Sequence, residues 1–316
     1  MFELKDYVLE IAKTGSFSQA AKNLYVSQPS LSASIRRLEE QIGEKLFDRS
    51  MHPVLLTECG EEYVRTARAI GEREGNFQVY LEEHQKIQSG RLVLGGSNLN
   101  LTYVVPPLLK SYRETYPLVE ISLVENNIDQ SMSLLQDGEI DIVVDSCSVD
   151  PAFFEEYSYR AETLLLAVPE FFPCNEKMKP YAVSLEEVME DRHLDPKKKH
   201  PPLSLLGDTP FLGMTMDTDT GKREKRIFRR EDYRPSIPFS FSQQATAFHL
   251  ACQGLGATII SDIIVKNNLF RPALVFYKLD ETDSSRDIKF FRKKGRRMSF
   301  ATRSFLEFAG AVEETN

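Results

Sequence analysis

The chain has 316 residues, of which 41% are hydrophobic and 27% are charged, and its formal net charge is −8. This length favours two or more domains, and the composition is that of an ordinary globular protein with material for sizeable cores. No apolar run approaches the roughly 18 residues that cross a membrane, and the N-terminus lacks the basic start and apolar core of a signal peptide. We therefore expect a cytoplasmic protein with no membrane partner.

The negative charge counts, at first, against a nucleic-acid partner, but an electrostatic footprint is local. Between Glu10 and Glu39 there is no acidic residue, whereas four basic residues lie there: Lys13, Lys22, Arg36 and Arg37. The four cysteines lie far apart without metal-ligand spacing, so they are expected to be reduced thiols: Cys59, Cys147, Cys174 and Cys252.

Two short helices with a tight connection are predicted after a first helix over residues 2–13. Ser16 to Gln19 matches a capping box, in which serine accepts the backbone N–H three residues on and glutamine reaches back. Ser27 can cap the following helix, with Pro29 tolerated in its first turn. That helix buries Leu31, Ile35, Leu38 and Ile42, and Gly43 ends it. The pattern is a helix-turn-helix.

Residues 45–57 are interpreted as a small β-ribbon or wing, which completes an all-α winged helix-turn-helix domain over residues 1–58. A long linker helix is predicted over residues 59–89. Its apolar residues fit a heptad seam, which favours pairing with a second copy of the chain: Tyr63, Ala67, Ile70, Phe77 and Leu81. The alternative is that this helix packs on its own domain.

From residue 90 to residue 316, strands alternate with helices, which predicts an α/β domain of two lobes with parallel sheets. Lobe 1 is assigned to residues 90–162 and 269–316, and lobe 2 to residues 163–268. The lysine-rich stretch from Asp195 to Pro202 is interpreted as a solvated loop rather than a nucleic-acid site.

The second helix of a helix-turn-helix lies in the major groove, where only its outward face can contact bases. Glutamine can pair with adenine, arginine with guanine or phosphate, and alanine can contact a thymine methyl group. Arg49 and His52, on the wing, are placed to reach a minor groove or phosphate. The predicted contacts on and before the helix are Ser27, Gln28, Pro29, Ser30, Ser32, Ala33, Arg36 and Arg37.

The whole run from Gly15 to Gly60 closely resembles the N-terminal domain of LysR-type transcriptional regulators. The resemblance rests on Gly15-Ser16-Phe17-Ser18-Gln19-Ala20-Ala21, Val26-Ser27-Gln28-Pro29-Ser30-Leu31-Ser32, Ile35-Arg36-Arg37-Leu38-Glu39 and Leu46-Phe47-Asp48-Arg49. It continues downstream through Pro106-Pro107-Leu108-Leu109, Gly138-Glu139-Ile140-Asp141 and Gly254-Leu255-Gly256-Ala257.

This resemblance implies a regulator of transcription that binds double-stranded promoter DNA. It also implies a linker helix that pairs two subunits, a periplasmic-binding-protein-like effector domain, and assembly as a homodimer or homotetramer, with RNA polymerase as a further partner. The effector, the operator and the direction of regulation stay open. Ala33, Ser34 and His52 depart from the family's usual longer or basic residues, and residues 184–203 include an extension of the second lobe.

Topology and the resemblance together place an effector site in the cleft between the lobes, at the carboxyl ends of their strands. A carboxylate is one candidate ligand, although each of these side chains could instead cap a helix. The predicted residues are Ser97, Asn98, Asn100, Ile128, Asp145 and Ser146 in lobe 1, and Thr215, Gln243, Gln244 and Thr246 in lobe 2.

Other classes of function find little support in the sequence. The chain has no GxSxG, P-loop, HExxH or complete GxGxxG motif, so no catalytic residue, cofactor or metal site is predicted. His249, in a mostly apolar helix, is interpreted as a packed core residue. Cys147, beside the cleft, is interpreted as a small packed residue, with a reactive thiol as the alternative.

Overall fold

The computed structural model describes residues 1–51, 53–84, 89–268 and 270–311. The chain divides into two compact units, Met1–Gln85 and Lys86–Asn316, each with its own buried apolar residues. Among the described helices, none combines the length and apolar composition that crossing a membrane requires.

The N-terminal unit has the elements of a winged helix-turn-helix followed by a long helix. They are α1 (Lys5–Thr14), α2 (Phe17–Asn23), α3 (Gln28–Ile42), β1 (Phe47–Asp48), β2 (Leu55–Leu56) and α4 (Glu58–His84). The antiparallel pairing of β1 with β2 confirms the predicted ribbon. Gly43 caps α3 with a φ of 88°, a left-handed conformation that glycine adopts without strain.

Serine side chains cap α2 and α3 at the predicted positions. The hydroxyl of Ser16 accepts the N–H of Gln19, and that of Ser27 accepts the N–H of Ser30, both at 3.3 Å. The second hydrogen bond of the predicted capping box would run from the Ser16 N–H to the Gln19 side chain. The Ser16 N–H donates to the Thr14 hydroxyl instead, at 3.4 Å. The Gln19 amide donates instead to Asn23 at 2.9 Å.

One apolar cluster holds the helix-turn-helix together. Leu31, Ile35 and Leu38 of α3 are buried against α1 and α2, where the small residues Ala20 and Ala21 allow close approach. Burying each leucine or isoleucine side chain contributes roughly 1.5–3 kcal/mol. This burial fixes the rotation of α3 about its own axis, so its opposite side faces outward.

The first half of α4 packs on the N-terminal unit itself. Tyr63 stacks on Phe2 with ring centroids 4.8 Å apart, and Ala67 is fully buried. The predicted intermolecular seam is therefore wrong for Tyr63 and Ala67, because they complete the unit's own core. Farther along α4, Phe77 is 61% exposed, and its ring stacks on Tyr80 at 6.3 Å.

The C-terminal unit alternates strands and helices. Its elements are β3 (Gly90–Gly96), α5 (Val105–Thr115, preceded by a π-helical turn over Asn100–Val104), β4 (Val119–Glu125), α6 (Ile128–Asp137), β5 (Ile142–Asp145), β6 (Phe154–Pro169), α7 (Cys174–Met178), β7 (Ala182–Val183), α8 (Leu185–Met189), β8 (Leu212–Met214), α9 (Asp219–Arg230), β9 (Phe239–Phe241), α10 (Gln244–Cys252), β10 (Thr258–Ser261), α11 (Asp262–Lys266), β11 (Leu274–Tyr277), α12 (Glu281–Ser284), β12 (Ser285–Lys293) and α13 (Phe300–Phe308).

Lobe 1 contains the predicted parallel sheet. The strand β3 pairs in parallel with β4 on one side and with β5 on the other. The strand β12 returns to this sheet and pairs antiparallel with β5. The carboxyl ends of β3, β4 and β5 therefore meet at one edge, which is where the sequence places Ser97, Ile128 and Asp145.

A single strand, β6, runs through both lobes. Its first part pairs antiparallel with β12, from Phe154 to Thr163. Its second part pairs antiparallel with β10 and β11. The expectation of a purely parallel second lobe is therefore wrong, because β6 runs against its neighbours there. Parallel pairing in lobe 2 is seen between β8 and β9 and at the Phe211–Ala257 bridge.

The pairing of β11 corrects the predicted lobe boundary at residue 269. Leu274–Tyr277 pairs with the second part of β6 and with β7, so it belongs to lobe 2. The chain returns to lobe 1 only with β12, where Ser285 lies opposite Thr163. The lobes are thus connected by the strand β6 and by the segment between β11 and β12, and Thr163 and Ser285 mark the crossing point.

Candidate functional site

The exposed face of α3 presents small polar and basic side chains. Gln28, Pro29, Ser30, Ala33, Arg36 and Arg37 are exposed, as is Ser27 immediately before the helix, whereas Ser32 is half-buried. This is the side opposite the buried line of Leu31, Ile35 and Leu38. The predicted rotation of the helix is thereby found in the structure.

The beginning of α3 carries no acidic residue in its first turn, and neither does that of α2. Helix N-termini carry a partial positive charge and free N–H groups, which favour anions such as phosphate. Glu39, the first acidic residue after the gap, is engaged elsewhere, since its carboxylate accepts the N–H groups of Leu46 and Phe47 at 3.0 and 3.3 Å. The exposed face therefore has a positive electrostatic character despite the chain's net negative charge.

Arg49 lies in the ribbon, directly after β1, and its side chain packs against α3. Its guanidinium donates to Glu39 at 2.9 Å and to the Ser32 hydroxyl at 3.3 Å. It also lies 4.6 Å from the centre of the Phe17 ring. These contacts fix Arg49 beside the exposed face of α3, which weighs against a reach into a separate minor groove. His52 lies outside the described residues.

Tyr25, in the turn between α2 and α3, is a candidate that the sequence reasoning missed. Its side chain is 97% exposed, and its backbone has a φ of 55°. The left-handed region is uncommon for a residue other than glycine, asparagine or aspartate. The signal in the sequence is an aromatic residue in the tight connection between two short helices.

Two predicted effector residues are part of the framework. The Asn100 amide donates to the Ser97 hydroxyl at 3.2 Å and to the Val144 carbonyl at 3.0 Å. Gln244 donates to Thr220 at 2.8 Å and accepts the N–H of Ser261 at 2.8 Å. Both side chains are buried, so their hydrogen bonds favour a structural role over direct contact with a ligand.

Of the remaining predicted effector residues, Asp145 is buried and the others are less so. Thr246 is exposed, and Ser97, Asn98, Ile128, Ser146, Thr215 and Gln243 are half-buried. Asn98 donates to Glu125 at 3.3 Å. The Thr215 hydroxyl has no hydrogen-bond partner among the described residues, and Gln243 begins α10 without a side-chain cap. Apart from Ile128, whose side chain is apolar, these residues have hydrogen-bonding groups to offer a ligand.

A buried ion cluster joins the two lobes, and the sequence reasoning did not predict it. Arg286 of β12 lies opposite Glu162 of β6 and donates to both of its carboxylate oxygens, at 2.6 and 2.8 Å. It also donates to Asp219, at the start of α9 in lobe 2, at 2.7 Å. Burial raises the pKa of the neighbouring Asp145 to about 6, with the charges of Asp219 and Glu162 adding to the effect and that of Arg286 opposing it.

Cys147 and His249 can now be interpreted from their surroundings. Burial, with the nearby charges of Asp145 and Asp219, raises the pKa of Cys147 to about 12. A thiol that stays protonated is a poor nucleophile, which favours the packed interpretation over the reactive one.

The core assignment of His249 is wrong, because its side chain is exposed and stacks on Phe270 at 5.9 Å.

The raised pKa of Asp145 predicts a pH-dependent stability. The folded state favours the protonated carboxyl, so this contribution is fully present below the unfolded pKa, about 4, and is lost as the pH rises through about 6. Asp145→Asn keeps an oxygen to accept the Ser146 N–H, which now donates at 2.8 Å, and carries no charge. We expect its stability advantage over the unchanged chain to be about 1 kcal/mol larger at pH 8 than at pH 5.

Urea denaturation at the two pH values measures this difference. The matched control is Asp150→Asn, an exposed aspartate whose carboxylate caps Ala152. A stability difference between Asp145→Asn and the unchanged chain that is equal at pH 5 and pH 8 would contradict the prediction.

Comparison with known proteins identifies the two units separately. Residues 3–61 match the family model described as bacterial regulatory helix-turn-helix protein, lysR family. Residues 85–313 match the model described as LysR substrate binding domain. A Bacillus subtilis (strain 168) protein described as uncharacterized HTH-type transcriptional regulator YcgK is 26% identical over 309 residues, which cover 97% of this chain and 93% of that protein.

Solved structures of full-length regulators have a similar fold. A full-length OxyR variant from Pseudomonas aeruginosa aligns with a TM-score of 0.68 and 19% identity, covering 99% of this chain and 97% of its own. Full-length CbnR complexed with its target DNA aligns with a TM-score of 0.60 and 19% identity, covering 98% of this chain and 99% of its own. The predicted fold class, a helix-turn-helix unit followed by a two-lobed α/β unit, is confirmed.

Proposed function

This chain belongs to the LysR family of transcriptional regulators, and from that premise we propose that α3 reads promoter DNA under the control of a small molecule bound between the two lobes. The observation that carries the proposal is the exposed face of α3, which offers hydrogen-bonding and basic groups beside a helix N-terminus without acidic residues. The direct test is the affinity of the full chain for the DNA upstream of its own gene.

The residues on α3 divide by the contacts their chemistry allows. Gln28 and Arg36 are suited to hydrogen-bond base edges in the major groove, and Ala33 to contact a thymine methyl group. Ser27, Ser30, Ser32 and Arg37 are suited to bind phosphate and so to fix the helix in register. Arg49 adds positive charge from its position beside Ser32. Pro29 shapes the first turn and sets how closely the backbone approaches the DNA.

The cleft supports binding of a small ligand with a hydrogen-bond acceptor, of which a carboxylate is the simplest. The N-terminus of α10 has no side-chain cap at Gln243, so its N–H groups can donate to an anion. Thr246, in the first turn of α10, is exposed. The Thr215 hydroxyl, which has no hydrogen-bond partner in the described part of the chain, comes from the neighbouring strand end. From lobe 1, Ser97 and Ser146 supply further donors, so a ligand in the cleft would contact both lobes and change how they close.

A second copy of the chain is the proposed partner of the second half of α4. Phe77 and Tyr80 form an exposed aromatic pair on a helix whose first half is already packed. Pairing of two such helices would bring two α3 helices to one DNA site of dyad symmetry. We propose a homodimer or a homotetramer that acts in the bacterial cytoplasm, where it engages RNA polymerase at the promoter.

A thermal-shift screen of the full chain tests the effector half of this proposal. We expect small carboxylates to raise the melting temperature and their neutral amides or esters to have a weaker effect. A ligand at a concentration of 100 times its Kd stabilises the folded state by about 2.7 kcal/mol. Thr246→Val, which removes an exposed hydroxyl from α10, should weaken binding of the best ligand.

The matched control is Thr115→Val, an exposed threonine at the end of α5, away from the strand ends that form the cleft. Equal loss of binding in both variants, or no loss in Thr246→Val, would contradict the placement of the ligand at α10. The DNA-binding half of the proposal would stand, since it rests on α3 alone.

A further inference from the structure

Three side chains of lobe 2 converge at a place that the effector proposal does not use. They are Asp191, His193 and Asp262, and each offers a ligand atom within 4.8 Å of those of the other two. Asp191 and His193 lie at the start of the extension that follows α8, and Asp262 begins α11. Asp262 follows His193 by 69 residues in the sequence, so the fold alone brings the three side chains together.

His193 is the unusual member of this group. Its side chain is fully buried, and neither ring nitrogen has a hydrogen-bond partner among the described residues. Its Nε2 lies 3.3 Å from Oδ2 of Asp262, so the ring is directed at the carboxylate. A buried polar group without a partner costs about 1–3 kcal/mol, and an ion is one of the few usual reasons for keeping one.

A cation already lies between the two carboxylates. The ammonium group of Lys266 donates to Asp191 at 2.5 Å and to Asp262 at 2.6 Å. Two carboxylates and one ammonium group give this site a net charge of −1. The side chain of Asp262 is only 3% exposed, so water screens its charge little. Lys266 itself retains 16% exposure of its side chain, and a long flexible stem allows its head to move outward.

We propose that Asp191, His193 and Asp262 bind one divalent transition-metal ion of the Zn²⁺ or Co²⁺ class, with Lys266 holding the site together in its absence. Imidazole nitrogen and carboxylate oxygen are both ligands that such ions take, and water can complete the coordination. A divalent cation offsets both carboxylates, whereas the ammonium group offsets one charge. It also gives one ring nitrogen of the buried imidazole a bonding partner, where the ring otherwise has the 3.3 Å approach to Asp262 and no hydrogen bond among the described residues.

The site is connected to the strand that joins the lobes. The second carboxylate oxygen of Asp262, Oδ1, accepts the N–H of Thr163 at 3.1 Å. Thr163 is the residue at which β6 changes from pairing with β12 to pairing with β10. A metal ion that holds Asp262 would therefore stiffen the crossing point, which makes the ion a candidate second regulator of lobe closure.

Titration of the untagged full chain with Co²⁺ tests the proposal, with visible absorption reporting nitrogen and oxygen coordination and calorimetry with Zn²⁺ reporting stoichiometry. We expect one ion per chain. Lys266→Met, which removes the competing ammonium group, should raise the affinity at least tenfold. His193→Gln and Asp191→Asn should each lower it at least tenfold, and since Asp191 is exposed, the second variant should fold normally.

His200→Gln is the matched control, because His200 also lies in the extension and its Nδ1 is 4.0 Å from Glu231. It should bind Co²⁺ as the unchanged chain does. Saturable binding that disappears in His193→Gln and Asp191→Asn and strengthens in Lys266→Met supports the site. Absence of binding in both the unchanged chain and Lys266→Met, or equal affinity in all variants, overturns it.

Discussion

Replacement of Arg286 by glutamine is expected to lower the free energy of unfolding of the C-terminal unit by about 3–5 kcal/mol. Arg286 and Glu162 have side chains only 5% and 1% exposed, and the guanidinium holds both carboxylate oxygens. Without Arg286, the Glu162 carboxylate would be left charged in the interior. Asp219 would lose less, since Arg223 also donates to it at 2.7 Å.

Urea denaturation followed by circular dichroism measures this loss. The control is Lys289→Gln, which breaks a cross-strand pair of the same two strands, Lys289 with Glu156, where the glutamate is half exposed. That change should cost less than about 1 kcal/mol. The double change Arg286→Met with Glu162→Leu should cost less than Arg286→Gln, because it leaves no uncompensated buried charge. A larger loss in the double variant would refute the account of this pair.

The double variant Gln28→Ala with Arg36→Ala is expected to reduce the affinity for promoter DNA at least about 30-fold. Each bidentate contact to a base edge contributes about 1–3 kcal/mol to the binding free energy. Losing two such contacts adds their free energies, so the two factors in affinity multiply. Both side chains are exposed and outside the core, so the fold of the N-terminal unit should be unaffected. Fluorescence anisotropy with a labelled promoter fragment measures the affinity.

Arg229→Ala is the matched control, because it removes one exposed arginine from the C-terminal unit. Its affinity should match that of the unchanged chain. Weakening by Arg229→Ala equal to that by Gln28→Ala with Arg36→Ala would indicate a loss of overall charge and would contradict a specific role for α3.

The helix-turn-helix could be predicted from sequence because its determinants are local. Ser16 and Ser27 cap their helices, Gly43 ends α3, and the apolar spacing of Leu31, Ile35 and Leu38 fixes which side is buried. Once that rotation is known, the outward residues follow from geometry alone. The exposure of Gln28, Ala33 and Arg36 is a consequence of the same periodicity.

Contacts between distant segments could not be predicted in this way. The pairing of Arg286 with Glu162 depends on the register of β6 against β12, which the sequence does not encode locally. The first part of β6 alternates aromatic with charged and polar residues, which concealed its membership of a 16-residue strand. The orientation of the Arg49 side chain depends on Phe17, Ser32 and Glu39 together, so it could not be predicted from the position of Arg49 on the wing.

The cleft shows why a set of polar residues near strand ends is a weak guide to a ligand site. Asn100 and Gln244 have the chemistry of binding residues, but the structure uses the NH2 group of Asn100 and both ends of the Gln244 amide to join segments of the framework. Thr246 and Thr215 have the same chemistry and keep unused hydrogen-bonding capacity. Only the partner of each group, which depends on the fold, separates the two cases.

The central claim is that the exposed face of α3 recognises a DNA sequence. Its most direct test is the ratio of two affinities at fixed salt, for the DNA upstream of the chain's own gene and for unrelated DNA of equal length. We predict a ratio of about 10³ or more for the unchanged chain, and a fall of at least tenfold in that ratio for Gln28→Ala with Arg36→Ala. A ratio that the double variant leaves unchanged would contradict the claim.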